Sequence, residues 1–165
     1  MSVNPHQMYC YVIAPALAAI GQFSPAAAQL VLGTGLTESK LEYIDQVESN
    51  KGDKVPGPAY GFFQMEMFTH DDLWKNYIVY KPELRLALQK LMCKEQPLDV
   101  QMHGNMLYQA AMCRIHYLRS PGALPAAGDA MGMANYWKKY YNTPLGAGKP
   151  EKALPYFQQA CIIIK

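Results

Sequence analysis

The chain has 165 residues, enough for one domain with a substantial core, and no composition shift divides it into more than a single domain spanning 1–165. Half of it is apolar and 17% is charged, which excludes a disordered chain; a formal charge of +2, with Lys138-Lys139 as the only basic doublet, argues against a nucleic-acid footprint. Four cysteines, Cys10, Cys93, Cys113 and Cys161, lie in apolar surroundings without a CxxC pair and read as free, buried thiols of a chain made in a reducing cytoplasm.

Residues 5–20 predict a first helix bent by Pro15. Its apolar run lacks a basic leader, since no Lys or Arg precedes Lys40, and is too short to span a bilayer. The expectation is therefore a packed helix rather than a signal peptide, with no membrane insertion. Ser24 followed by Pro25 is a strong helix start, and the segment beginning there should end near Glu38. Gly33 and Gly35 weaken that helix by about 1 kcal/mol each relative to Ala, which predicts another chain segment packed closely against it.

The polar, Gly- and Pro-containing stretch 46–60 predicts a loop or short irregular hairpin. Thr69 with Asp72 resembles a capping box opening a short helix, and Pro82 opens the next. From Leu98 to Arg119, Val100, Leu107, Ala111, Ile115 and Leu118 form one apolar line, widened by Met106, Ala110, Cys113 and Tyr117, as in a helix at the centre of a bundle. Asp129 can cap the segment through Tyr141, and a last helix lies within residues 151–162. The fold class is thus mainly α, a single domain of six to eight helices with a small irregular or β-like region near residues 46–62.

Glu38 closes a largely apolar helix, where a carboxylate is costly to bury unless its chemistry requires it. In chain order it is followed by Pro58-Ala59-Tyr60-Gly61-Phe62-Phe63-Gln64 with Thr69, by the long apolar helix ending His116-Tyr117-Leu118-Arg119, and by Tyr140-Tyr141-Asn142. This ordered set resembles the soluble-type lytic transglycosylases and the goose-type lysozymes, which cleave peptidoglycan with a lysozyme-like helical fold. In that family Glu-Ser closes a helix, matched by Glu38-Ser39; a glycine-rich run leads to Gln, matched through Gln64; and Tyr-Asn-Ala-Gly follows a later helix, matched in part by Tyr141-Asn142. The chain departs from the pattern at Pro58, Val55, Met67 and Thr143-Pro144, and the 26 positions from Glu38 to Gln64 mark an enlarged loop.

The resemblance implies that Glu38 protonates the bridge oxygen between muramic acid and glucosamine and then, as its conjugate base, deprotonates the C6 hydroxyl to give a 1,6-anhydro sugar. Such an acid must be protonated near neutral pH, and an apolar wall of Leu36, Phe62 and Phe63 would raise its pKa. The expected glycan contacts are Ser39, Tyr60, Gly61, Phe63, Gln64, Tyr141 and Asn142, with Gln64 alternatively satisfying loop backbone and Tyr141 directing its hydroxyl toward Glu38 or the sugar. Tyr60, Phe62, Phe63, Trp74, Tyr136 and Trp137 are candidate stacking faces, of which most should be core.

A hydrolytic muramidase would need a second carboxylate, and Glu42 and Asp45 would share a face with Glu38 if the helix continued past Ser39. A third alternative is a non-catalytic phage tail or virion protein that binds glycan. The histidines His6, His70, His103 and His116 lack ligand spacing, and neither a metal nor a cofactor is expected. A single domain without export signal suits a bacteriophage endolysin or virion-associated enzyme acting at the bacterial wall, with peptidoglycan strands and virion proteins as partners.

Overall fold

A computed structural model describes residues 2–47, 56–143 and 146–165. The chain is mainly helical with one small antiparallel sheet, as the sequence predicts. The first rod is α1 (Pro5–Met8), a π-helical stretch Tyr9–Ile13 and α2 (Ala14–Ala19), with Asn4 capping its start through Gln7 N–H at 3.1 Å. Where the sequence predicts a bend at Pro15, the chain changes winding just before the proline. Pro15 has no N–H for the Tyr11 carbonyl, and the wider turn, with Ala14 N–H bonded to the Tyr9 carbonyl, accommodates its ring.

Helix α3 (Pro25–Ser39) starts as predicted: the Ser24 hydroxyl accepts from Ala27 N–H at 3.1 Å. It is buried nearly all round, which explains why its apolar residues show no single face. A side chain on Gly33 would collide with the Phe157 ring of the C-terminal helix, and one on Gly35 would press on Leu41 and Phe63 at 3.1 Å. The two glycines are therefore where neighbouring segments approach α3. Polar groups stitch the same helix: Thr34 and Tyr117 share a hydrogen bond at 2.7 Å, and Gln29 donates to the Ile164 carbonyl at 2.6 Å.

The helix stops after Ser39 because Lys40 and Leu41 turn left-handed, at φ 53° and 54°. Glu42 and Asp45 are consequently not a continuation of the Glu38 face. Asp45 instead opens β1 (Asp45–Val47), which pairs with β2 (Pro56–Tyr60), which pairs with β3 (Met65–Glu66), all antiparallel, with Asp45 opposite Tyr60 and Tyr60 opposite Met65. This sheet is the expected β-like region. The centre of the enlarged loop, 48–55, including Val55, lies outside the described residues, as does Pro144.

Helix α4 (Met67–Asn76) begins two residues before Thr69, with Glu66 in the cap position, so the Thr69–Asp72 capping box does not form. Asp72 is used elsewhere, accepting from Asn76 at 2.6 Å and pairing with Arg119. After α5 (Pro82–Leu91), the segment expected to be one helix from Leu98 to Arg119 is two: α6 (Leu98–Gly104) and α7 (Met106–Leu118). Asn105 breaks it, its side-chain oxygen capping Tyr108 N–H at 3.1 Å and its amide donating to the Leu91 carbonyl at 2.7 Å. Helices α8 (Ala130–Tyr140), capped by Asp129 through Gly132 N–H at 2.8 Å, and α9 (Pro150–Ile163) complete the fold. Counting the first rod once, eight helices are present among the described residues.

Two buried clusters meet along α7. One joins α1–α3, α8 and α9 through Leu30, Leu36, Phe63, Trp137 and Phe157; the other joins α4–α6 through Leu73, Leu88, Met102 and Tyr108. The four cysteines are free, but only Cys113 is buried; Cys93 is exposed at the end of α5 rather than in the core. No helix among the described residues is long and apolar enough to cross a membrane.

Candidate active site

Glu38 sits in the last turn of α3, where the helix end brings its carboxyl to a cleft of about 690 Å³. The residue is half-buried. Trp137 of α8, almost fully buried, donates its indole N–H to Glu38 Oε1 at 2.7 Å. Burial raises the carboxyl from its ordinary 4.5 to about 7, and the Trp137 hydrogen bond, which favours the charged form, offsets part of that rise.

Gln64 and Tyr141 line the same cleft, so three residues far apart in sequence converge. Gln64 lies in the turn between β2 and β3 with φ 48°, and its amide donates to the Gly61 carbonyl at 2.8 Å. Its amide thus satisfies loop backbone, one of the two roles its position suggested, while the side chain remains half-buried at the cleft. Tyr141 directs its hydroxyl proton not to Glu38 but to the Phe63 carbonyl at 2.7 Å, leaving only lone pairs for another partner. That bond ties the end of α8 to the β2–β3 turn.

Asn142 also lines the cleft, but its side-chain oxygen is engaged by Lys138 Nζ at 3.0 Å and Gly148 N–H at 3.2 Å. Lys138 further donates to the Thr143 and Gly146 carbonyls, at 2.8 and 2.7 Å, so one ammonium gathers the loop after α8. Asn142 therefore shapes the wall.

The other expected contacts stand behind the cleft. Ser39 is buried and its hydroxyl is fully used, donating to the Phe62 carbonyl at 2.7 Å and accepting from Leu41 N–H at 3.1 Å. It secures the left-handed turn that ends α3. Gly61, at φ 72°, leaves no room for a side chain against Gln109 and the Met102 carbonyl, so its freedom serves packing rather than a sugar. Phe63 is core, and Tyr60 packs edge-on against His103 with ring centres 4.6 Å apart. Glu42 is exposed and does not line the cleft; Asp45 caps Gln46 N–H at 2.9 Å and lies 3.8 Å from His103.

Of the candidate stacking faces, Phe62 is core, Trp74 donates to the Tyr108 hydroxyl at 2.9 Å, and Tyr136 donates to the Gly122 carbonyl at 2.8 Å. Trp137 is the exception in kind, since it holds the acid and lines a smaller recess of about 240 Å³ behind it. The sequence reasoning missed Tyr43, 46% exposed, which the left-handed turn at Lys40–Leu41 carries to the cleft. It also missed Gln46, Glu66, Thr69 and His116 as lining residues. Thr69 and His116 stand in the ordered motifs without a cleft role, and Glu66 has a local signal as a carboxylate two residues past Gln64.

Chemically, the cleft offers a Glu38 carboxyl that is partly protonated near neutral pH, beside the Glu66 carboxyl, the His116 ring and amide and hydroxyl groups. Among the described residues, no group of three or more His, Cys, Asp or Glu side chains could hold a metal ion. His70, Asp71 and Asp72 are spent in hydrogen bonds to Tyr108, His70 and Asn76 respectively. Compared with known proteins, the chain matches no protein-family model, no curated protein and no solved structure.

Proposed function

We propose that the chain is a peptidoglycan lytic transglycosylase with Glu38 as its only proton-transfer group. The observation that carries the reading is a carboxyl held at about 7 on a cleft that Gln64 and Tyr141 also line. The protonated Glu38 donates to the oxygen bridging muramic acid C1 and glucosamine C4, and the C1–O bond breaks as positive charge develops on the muramic ring. Glu38, now a carboxylate, removes the proton from the C6 hydroxyl of that ring. O6 then closes on C1, giving a 1,6-anhydromuramic end and a protonated acid ready for the next bond. The Trp137 N–H favours Glu38 during the interval in which it is charged.

Hydrolysis by a muramidase of similar fold is the second reading. It requires a water-activating carboxylate, and among the described residues Glu66 is the other carboxyl that lines the cleft with Glu38, whereas Glu42 and Asp45 do not. The first reading needs no such partner. The third, a tail or virion protein that binds glycan without turnover, gives no reason for a raised acid on the cleft. The proposed site of action is the bacterial wall.

The test is mass spectrometry of purified peptidoglycan digested to completion. Anhydromuramic ends, one water lighter than reducing ends, are the expected product. Reducing ends that vanish in Glu66→Gln would establish the hydrolytic reading instead.

A further inference from the structure

Helix α7 places His116 on the wall of the Glu38 cleft. Its ring packs on Tyr141 with centres 4.8 Å apart and lies alongside Tyr117 at 6.3 Å, so its plane is fixed by two aromatic neighbours. Nδ1 is buried and has no hydrogen-bond partner. The other histidines differ: His70 is bonded to Asp71 and Tyr108, His103 to the Asp99 carbonyl, and His6 lies against Cys10.

A neutral imidazole carries its one proton on either nitrogen, and the surroundings choose which. Protonating Nδ1 would bury an N–H without an acceptor, which folded proteins avoid more strictly than an unfilled lone pair. The proton therefore resides on Nε2, and the ring edge opposite the buried Nδ1 is what His116 has left to present. Burial, reinforced by the nearby Arg119 charge, holds the ring's pKa at about 4, so it is neutral at neutral pH.

We propose that His116 is a glycan-contacting residue, its neutral ring donating Nε2–H to an acceptor oxygen of an N-acetylated sugar bound in the Glu38 cleft. A group that only donates at this edge selects an acceptor, and the amide carbonyl of an N-acetyl group is the strongest uncharged acceptor on such a polymer. The inference rests on reading the cleft as a glycan site, and it gives a role to a residue for which the motif resemblance implies none.

The experiment uses the full chain carrying Glu38→Gln, to prevent turnover, and soluble peptidoglycan glycan strands stripped of their stem peptides. Nitrogen-15 spectra of the histidine rings are recorded with and without the glycan, and affinity is measured by calorimetry for the parent, His116→Phe and His116→Gln. The expected result is a protonated Nε2 and bare Nδ1, with the Nε2 resonance moving on saturation. Affinity should fall about tenfold in His116→Phe and recover in part in His116→Gln, which restores a donor. A proton on Nδ1, an Nε2 resonance unmoved by bound glycan, or full affinity in His116→Phe overturns the assignment while leaving the glycan site intact. Should His116→Phe fail to fold, the spectra of the histidine-containing protein decide. A parent that binds no glycan strand overturns both this inference and the function it rests on.

Discussion

Replacing Glu38 with Gln should stabilise the protein, and only at neutral and alkaline pH. The folded carboxyl is raised from 4.5 to about 7. The native state therefore holds a proton that the unfolded chain has released across that window, and wild-type stability falls as pH rises through it. At about 1.4 kcal/mol per pH unit the full shift corresponds to roughly 3 kcal/mol, and because the residue is half-buried on a wet cleft about 2 kcal/mol is the working figure. Gln cannot ionise, yet its side-chain oxygen can still accept from Trp137 N–H. The difference between variant and wild type in urea denaturation should be near zero at about pH 4, grow between about pH 5 and 7, and level off above. A difference that is the same at both ends of the range would mean that Glu38 is not desolvated in the native state, and the case for a protonated acid would collapse.

Activity should follow the same proton, with kcat/KM of wild type falling as pH rises above about 7. Trp137→Phe removes the donor that favours the carboxylate, so this alkaline limb should move up by about one pH unit, the worth of one hydrogen bond to a charged group; a limb that stays or moves down refutes the role of Trp137. Gly33→Ala sets a methyl against the Phe157 ring and should cost about 2 kcal/mol by thermal or chemical denaturation, with an unchanged melting temperature contradicting the α3–α9 packing. Ser39→Ala should lower stability by about 1–3 kcal/mol through the orphaned Phe62 carbonyl and Leu41 N–H. A raised KM with no loss of stability would put Ser39 on the sugar after all.

What the sequence showed depended on the range of the interaction. Ser24 and Asp129 announce their helices because a cap acts over three residues, and both form as expected. Gly33 and Gly35 announced close packing, though not that Phe157 and Phe63 supply it. The break at Asn105 was overridden by an apolar line long enough to look continuous, although Gly104-Asn105 is itself a stop followed by a cap. Glu38, Gln64 and Tyr141 were found through the order of motifs, and they meet at one cleft. The hydrogen bond that holds Glu38 joins residues 99 positions apart, and nothing local distinguishes Trp137 from a core aromatic. Tyr43 gives no local signal and Glu42 leaves the Glu38 face for one reason: two left-handed residues after Ser39, neither of them glycine, redirect the chain.

The central claim, that Glu38 is the acid, is tested most directly by the clearing of purified peptidoglycan by wild type and Glu38→Gln at equal concentrations, with both proteins verified as folded. Wild type should clear the wall and leave anhydromuramic ends, and the variant should bind glycan without clearing it. A folded Glu38→Gln protein that still clears the wall, or a wild type that binds the glycan and never cleaves it, would contradict that claim.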